Sequence, residues 1–526
     1  MKNTLPPNLT AKEFSKALDE FAAVVGKEWV FAEASDLRGY RDPYAPGDVS
    51  EYTPSAAVAP DGVEEIRSLL AIANKYRIPM WPISTGKNLA YGGAAPLMQG
   101  TVTLDLKRMN RILEVNEESC YALVEPGVSY FDLYKYIQDR GLKLWLDVAA
   151  PGWGSVLGNT LERGVGYTPY GDHFLMQCGM EVVLADGDVL RTGMGSMTGS
   201  NAWQLFKYGF GPSVDGLFTQ SNFGVVTKLG VWLMPEPPAY RSCRITFERE
   251  EDLGQIIEIL RPLKIAGLIP NAAVLSTAIY DTALVSTRAQ WYEGEGPLPR
   301  DVINKMADKL GGGFWQFHFA LYGLDAVMDV SWDVIRGAFS QIPGTKFHSK
   351  QYDKNTPIEG LRDKLQAGIP NMQEFGMANW RGGGGLLVFS PISPTTDKDA
   401  TRQYKMVRDR MAEYGFDYLG GFVVGWREMH NIIMVVYNRN DKEEKRRARE
   451  LFGVLIDDAA AAGYGEYRTH LAFMDQVAKT YDFNDNAMLR FSERLKDSLD
   501  PNGILAPGKQ GIWPKHLRDS KAGDET

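Results

Sequence analysis

Cysteine is scarce in this chain: Cys120, Cys178 and Cys243 are the only three among 526 residues, and none sits in a CxxC or CxxCH pattern. That excludes a disulfide framework, a thiolate metal site and a c-type haem attached to this polypeptide, and predicts reduced, buried thiols. The six histidines, His173, His318, His348, His430, His470 and His516, show no HExxH or i,i+4 spacing, so no metal is expected. No stretch of about 18 apolar residues occurs, and the first seven residues lack an apolar leader, so a cytoplasmic protein with no membrane partner is expected. An excess of positive charge is also missing. Lys plus Arg number 57 against 66 Asp plus Glu, a net −9 that argues against a nucleic-acid partner. The GxGxxG spacing of a nicotinamide-dinucleotide fold is absent. Gly503 to Gln510 has the glycine and lysine spacing of a nucleotide-phosphate loop, but Gln510 stands where a magnesium-binding hydroxyl is required, and an ATPase is rejected.

What remains is a glycine-rich, enzyme-sized chain with 44% hydrophobic residues and 54 glycines, long enough for two domains. Its local patterns are of the α+β class. Asp61-Gly-Val-Glu64 reads as a capping box before a helix with Ile66, Leu69, Leu70 and Ala73 on one face. Short strands follow at 79–84, 101–106, 111–115 and 121–124, then a helix capped by Ser129 and running to about Arg140. Asp186-Gly187 predicts a type I′ hairpin turn. Near Glu236-Pro237-Pro238 the pattern changes: a strand around Ile245 precedes a helix buried through Leu253, Ile256, Ile257 and Leu260, and a charged, solvated helix begins near Asp441.

Two loops carry the chemical signal. Pro82 to Pro96 contains Ser84-Thr85-Gly86-Lys87-Asn88 after a strand, where successive backbone N–H groups can converge on an anion such as pyrophosphate. Gly152 to Gly171 is dense in glycine, which permits close backbone approach to a ligand. Together they point to a dinucleotide.

These loops, with Gln220 to Lys228, Gly465-Glu-Tyr-Arg-Thr-His470 and Asp500 to Lys509, resemble the vanillyl-alcohol oxidase and p-cresol methylhydroxylase family of flavoproteins over nearly the whole chain. Arg163 to His173 and Arg427-Glu-Met-His430 are most like its bacterial eugenol and 4-alkylphenol oxidases. The resemblance implies an FAD-binding domain built from residues 1–237 and 465–526, and an α+β cap domain from 238–464. It implies oxidation of para-substituted phenols: hydride transfer from the benzylic carbon to flavin N5 through a para-quinone methide, with oxygen reduced to hydrogen peroxide, in a homodimer. Tyr91, Tyr467 and Arg468 match the residues that clamp the phenolic oxygen. Val165, Tyr167, Gly421 and Val423 match pocket positions; Gly421, before a strand, either leaves extra room where relatives carry a larger polar side chain or serves as a turn or bulge residue.

The cofactor positions implied are Ser84, Thr85, Gly86, Lys87 and Asn88 in the first loop, then Ala150, Pro151, Gly154, Ser155, Gly158, Asn159, Glu162, Gly164 and Tyr170. Asn222, Gly224 and Val225 fall on the adenine side, and Lys509 at the pyrimidine end of the flavin, where a cation stabilises the reduced anion.

Two departures stand out. Leu386 occupies the position of a flavin-linking histidine and Ala150 that of an aspartate beside the flavin, Asp147 being too far along the chain to replace it. Leucine has no nucleophilic atom, so the expectation is non-covalent FAD. With no carboxylate near the reacting carbon, vinylphenol is expected to outweigh the alcohol product. Two other readings stay open: a dehydrogenase passing electrons to a separate cytochrome subunit, and a catalytically silent flavin-binding protein.

Overall fold

The computed structural model describes residues 4–353 and 356–518. Three main sheets organise it. The first is four-stranded, in the order Val30–Phe31, Ala56–Val58, Val102–Asp105, Met80–Ile83, with its last three strands parallel. The parallel crossover between Ala56–Val58 and Met80–Ile83 is the helix Val63–Tyr76, which buries the four expected residues Ile66, Leu69, Leu70 and Ala73. Its start differs from expectation: Gly62 is the N-cap and makes no side-chain cap, while Glu64 turns outward to Arg67. The Ser129 cap does form, its hydroxyl accepting from the Asp132 N–H at the head of Tyr130–Asp139.

The second sheet is five-stranded and antiparallel, in the order Ile112–Asn116, Tyr121–Val124, Val225–Trp232, Gln177–Val183, Val189–Arg191. Asp186-Gly187 joins its last two strands. Only Gly187 takes a positive φ, and the Leu184 N–H donates to the Asp188 carbonyl, so the connection is wider than the two-residue type I′ turn.

The third sheet runs Lys346–Tyr352, Ala239–Phe247, Trp315–Gly323, Ala273–Thr277, Gly420–Val424, Glu428–Tyr437, Gly385–Phe389, antiparallel throughout. Helices Leu253–Ile265, Asp325–Phe339, Asp397–Glu413 and Lys442–Ala461 bury their apolar faces with this sheet in the largest core of the molecule. Strand alternation then divides its residues. Leu275, Phe422, Ile433, Leu387 and Phe389 enter that core, while Val274, Ser276, Gly421, Val423, Ile432, Met434, Leu386 and Val388 face a cavity on the opposite side.

The C-terminal segment returns to the first sheet. Leu505 bridges Met80 in parallel, and the Met80 N–H and carbonyl bond Ile504 and Ala506. The buried Lys496 amine reaches the Asp500 carboxylate at 2.7 Å and the carbonyls of Asn222 and Leu505, tying this segment to the 220–228 loop. Of the cysteines, Cys178 and Cys243 are buried, but Cys120 is partly exposed because it sits at a positive-φ turn position. Among the described residues no helix is long and apolar enough to cross a membrane.

Candidate active site

One cavity of about 330 Å³ collects nearly all the residues singled out above. The 84–90 loop forms one wall. Among the described residues no backbone N–H from Ser84 to Ala90 donates to a protein acceptor, and all seven residues line the cavity, as a donor row for an anion requires. Opposed to it, Ser155 caps the short helix Val156–Leu161, and the loop and helix touch at Gly158. A Cβ there would meet the Ser84 hydroxyl and force that side chain to move, so glycine suits this close approach. Asn222, Gly224 and Val225 border the same space, and the Asn222 carboxamide fixes the C-terminal turn by donating to the Ala506 and Ile512 carbonyls at 2.9 Å.

Tyr91, Tyr467 and Arg468 come together although 376 positions separate the first two. The Arg468 guanidinium stacks 4.1 Å above the Tyr91 ring, and its Nη2 donates to Asn88 Oδ1 at 2.5 Å. Backbone contacts set this arrangement: Leu471 N–H donates to the Tyr91 carbonyl, Gln220 to the Tyr467 carbonyl, and Tyr481 to the Glu466 carbonyl. Burial pushes the Tyr91 and Tyr467 phenols above their ordinary values, so both keep their protons at neutral pH. Burial disfavours the Arg468 charge, but Tyr91, Tyr467 and Glu162 outweigh it, and the guanidinium stays protonated. Among the described residues Arg468 makes no ion pair with Glu466, which is buried and whose pKa desolvation raises well above the ordinary carboxylate value.

Lys509 borders the cavity as an ion pair with Glu162 at 2.5 Å, so the two residues expected separately at the cofactor act as one unit. Burial opposes ionisation of Glu162, yet Lys509 and Arg468 hold its pKa below the usual carboxylate value. Thr85, Gly86, Lys87, Ala150, Pro151, Gly154, Asn159, Leu386, Val165, Tyr167, Gly421 and Val423 all line the cavity. Gly164 and Tyr170 lie outside that lining. Gly164 is packed against the Asn159 side chain, and Tyr170 is anchored through its N–H to Thr168.

Gly421 does not enlarge the pocket in the way its sequence position suggests. It pairs with Ser276, and an added Cβ would meet the Leu275 carbonyl at 2.4 Å and Ser276 Cα at 2.7 Å, so the missing side chain makes room for a neighbouring strand. Asp147 is fully engaged elsewhere, accepting from Thr168 N–H at 2.7 Å and contacting His173 Nε2 at 2.7 Å.

Sequence reading missed a second polar group on the cavity. Tyr280, Arg362 and Glu374 line it, and the Tyr280 hydroxyl donates to Glu374 at 2.8 Å. Glu374 thus brings a carboxylate to the cavity lining. No motif marks these residues, but the in–out alternation of 273–277 and 420–424 could have revealed the wall beside them. His430 was likewise unassigned, and its ring packs edge-on against Tyr467 at 4.9 Å. Among the described residues no group of three or more His, Cys, Asp or Glu side chains could hold a metal.

Comparison with known proteins agrees with this geometry. Residues 54–193 match the FAD binding domain model, and 368–510 match the C-terminal domain of FAD linked oxidases. The flavoprotein subunit of 4-cresol dehydrogenase (hydroxylating) from Pseudomonas putida is 42% identical over 97% of both chains. The solved structure of 4-ethylphenol oxidase from Gulosibacter chungangensis, in an isoeugenol complex, superposes with a TM-score of 0.95 at 42% identity, covering 98% of this chain and all of the other. Substrate-bound p-cresol methylhydroxylase gives 0.92 at 42% identity, over 97% and 99% of the two chains. The unpaired N–H row, the glycine at 158 and the Lys509–Glu162 pair fit a bound dinucleotide. With the donor loops, the tyrosine–arginine cluster and full-length identity in agreement, the chain belongs to the vanillyl-alcohol oxidase and p-cresol methylhydroxylase family and is an FAD-dependent oxidoreductase.

Proposed function

We propose that the protein oxidises para-alkylated phenols at the benzylic carbon and passes the electrons to oxygen, giving hydrogen peroxide. The observation that carries this reading is the convergence of Tyr91, Tyr467 and Arg468 on the cavity bounded by the donor loop. Two neutral phenols and one guanidinium are suited to hold a phenolate oxygen. Hydrogen bonds to a charged acceptor contribute about 1.5–3 kcal/mol each, and about 1.4 kcal/mol shifts a pKa by one unit, so the cluster favours loss of the substrate's phenolic proton. The phenolate then pushes electron density through the ring toward the para carbon. Bound FAD supplies the hydride acceptor. The resulting para-quinone methide takes up water or loses a proton.

Residues 1–237 and 465–526 would hold FAD, and 238–464 would cap it, in a homodimer. Leu386 faces the cavity and cannot be alkylated, which supports non-covalent FAD. Acid precipitation should therefore release the yellow colour into the supernatant; colour in the pellet counts against it. A second reading, electron transfer to a cytochrome partner, is favoured by the relative described as a flavoprotein subunit of a dehydrogenase. Mixing the holoenzyme anaerobically with 4-ethylphenol and then admitting air separates them. Bleaching with rapid recovery supports the oxidase, bleaching that persists in air supports the dehydrogenase, and no bleaching refutes phenol oxidation.

A further inference from the structure

Arg362 has no role in the clamp; it is ion-paired with Asp281 and lies 5.4 Å from the Tyr280 ring centroid, but not all of its N–H groups are used. It rises from Leu361–Gln366 to the cavity with 11% of its side chain exposed, and its Nε and Nη2 are buried without a hydrogen-bond acceptor. The nearest carboxylate, Asp281 Oδ1, is 3.5 Å from Nη2, beyond a good hydrogen bond. Asp281 is moreover occupied by His318 at 2.9 Å and Ser276 at 3.0 Å. Glu374, which lines the same cavity, accepts one hydrogen bond, from Tyr280, through Oε1. Among the described residues its Oε2 receives none.

Among the described residues the cavity lining thus includes, apart from the phenol clamp, a guanidinium whose buried Nε and Nη2 lack an acceptor and a carboxylate with one oxygen that accepts no hydrogen bond. The sheet wall next to them is apolar, with Val274 and Val423 paired across it. An aliphatic chain running along such a wall is satisfied until it reaches these groups, where a methyl terminus would leave both unpaired. A bare anion would be met by Arg362 but opposed by Glu374 and Asp281. A hydroxyl answers both, since it accepts from a guanidinium and donates to a carboxylate.

We propose that Arg362 and Glu374 form a recognition site for a hydroxyl at the end of the para side chain, beyond the benzylic carbon. Phenols bearing a 2-hydroxyethyl or longer hydroxyalkyl chain are then preferred over alkylphenols of equal size. This deepens the reading above and rests on it. Sites that hydrogen-bond a substrate hydroxyl discriminate against analogues lacking it because buried polar groups are left unpaired.

The test compares 4-(2-hydroxyethyl)phenol with 4-propylphenol, which have the same number of heavy atoms, by kcat/KM in the holoenzyme. The expected ratio favours the hydroxyl substrate by about 10- to 100-fold, the range for one hydrogen bond to a charged group. In Arg362→Met the ratio should fall to one or below, and in Arg362→Lys it should recover in part. A purely structural arginine would slow both substrates alike and leave the ratio unchanged. A wild-type ratio at or below one overturns the proposal even if no variant folds, as does a ratio equal in wild type and Arg362→Met. A higher kcat/KM for 3-(4-hydroxyphenyl)propanoate than for the hydroxyl substrate also overturns it, assigning the site to anions. Flavin bleaching by 4-ethylphenol in the same preparation shows whether a failure lies here or in phenol oxidation itself; with no bleaching by any phenol, both fall.

Discussion

Tyr467 and Arg468 sit next to each other in sequence, yet each is set by different neighbours: His430 and Gln220 for the tyrosine, Asn88 and the Tyr91 ring for the arginine. Replacing Tyr467 with Phe removes one donor to the phenolic oxygen and should slow flavin reduction about 10- to 100-fold. Arg468→Ala removes the charge and should abolish reduction, with FAD still bound in both variants. Stopped-flow spectra check this, and unchanged turnover in both removes the clamp. Glu466 makes a separate prediction. Burial raises its pKa well above 4.5, so above that pH the unfolded chain is ionised while the folded protein retains its proton. Folding then takes up a proton, and stability falls as pH rises from the unfolded value toward the folded one. Glu466→Gln should abolish this loss, giving a higher melting temperature than wild type at pH 8 and a smaller difference at pH 5, read by thermal scans.

At the scale of elements, the strand Gly420–Val424 shows how close packing fixes a residue that composition leaves ambiguous. Gly421 looks like pocket space in the sequence, but the backbone of Ala273–Thr277 approaches too closely for any Cβ. Gly421→Ala should cost about 1–3 kcal/mol through overpacking, visible as a lower denaturation midpoint. If stability is unchanged while bulky side chains on the substrate lose activity, the pocket reading returns. The same strand explains the expected helix and strand positions that held. Ile256, Ile257 and Leu260 repeat at helical spacing because Leu253–Ile265 lies on one sheet face, while residues of period two divide between core and cavity. Caps and turns were less legible: Gly62 displaced the Asp61 box and Gly187 widened its turn, since both depend on how neighbouring segments meet.

Across the whole molecule, the cavity depends on the two ends of the chain meeting. Lys496 is the knot, its ammonium buried and shared among Asp500, Asn222 and Leu505. Breaking a buried ion pair by removing one partner costs about 3–5 kcal/mol. Lys496→Ala should therefore lower stability by that order and weaken FAD retention on gel filtration, because Asn222 and Ala506 both border the cavity. Flavin retained at wild-type level would show that the 220–228 loop is held independently.

The α+β class and the donor loop at 84–88 follow from residue types and spacing, because each is a local pattern; Tyr91, Tyr467 and Arg468 come only from the family resemblance, whose motifs lie in two distant segments. The Lys509–Glu162 pair, the crowding at Gly421, the buried Glu466 and the Arg362–Glu374 group were legible from neither. Each of those consists of side chains from distant segments with no shared periodicity, and their proximity, burial and unmet hydrogen bonds come into existence only when the sheets pack and the C-terminal segment closes on Met80.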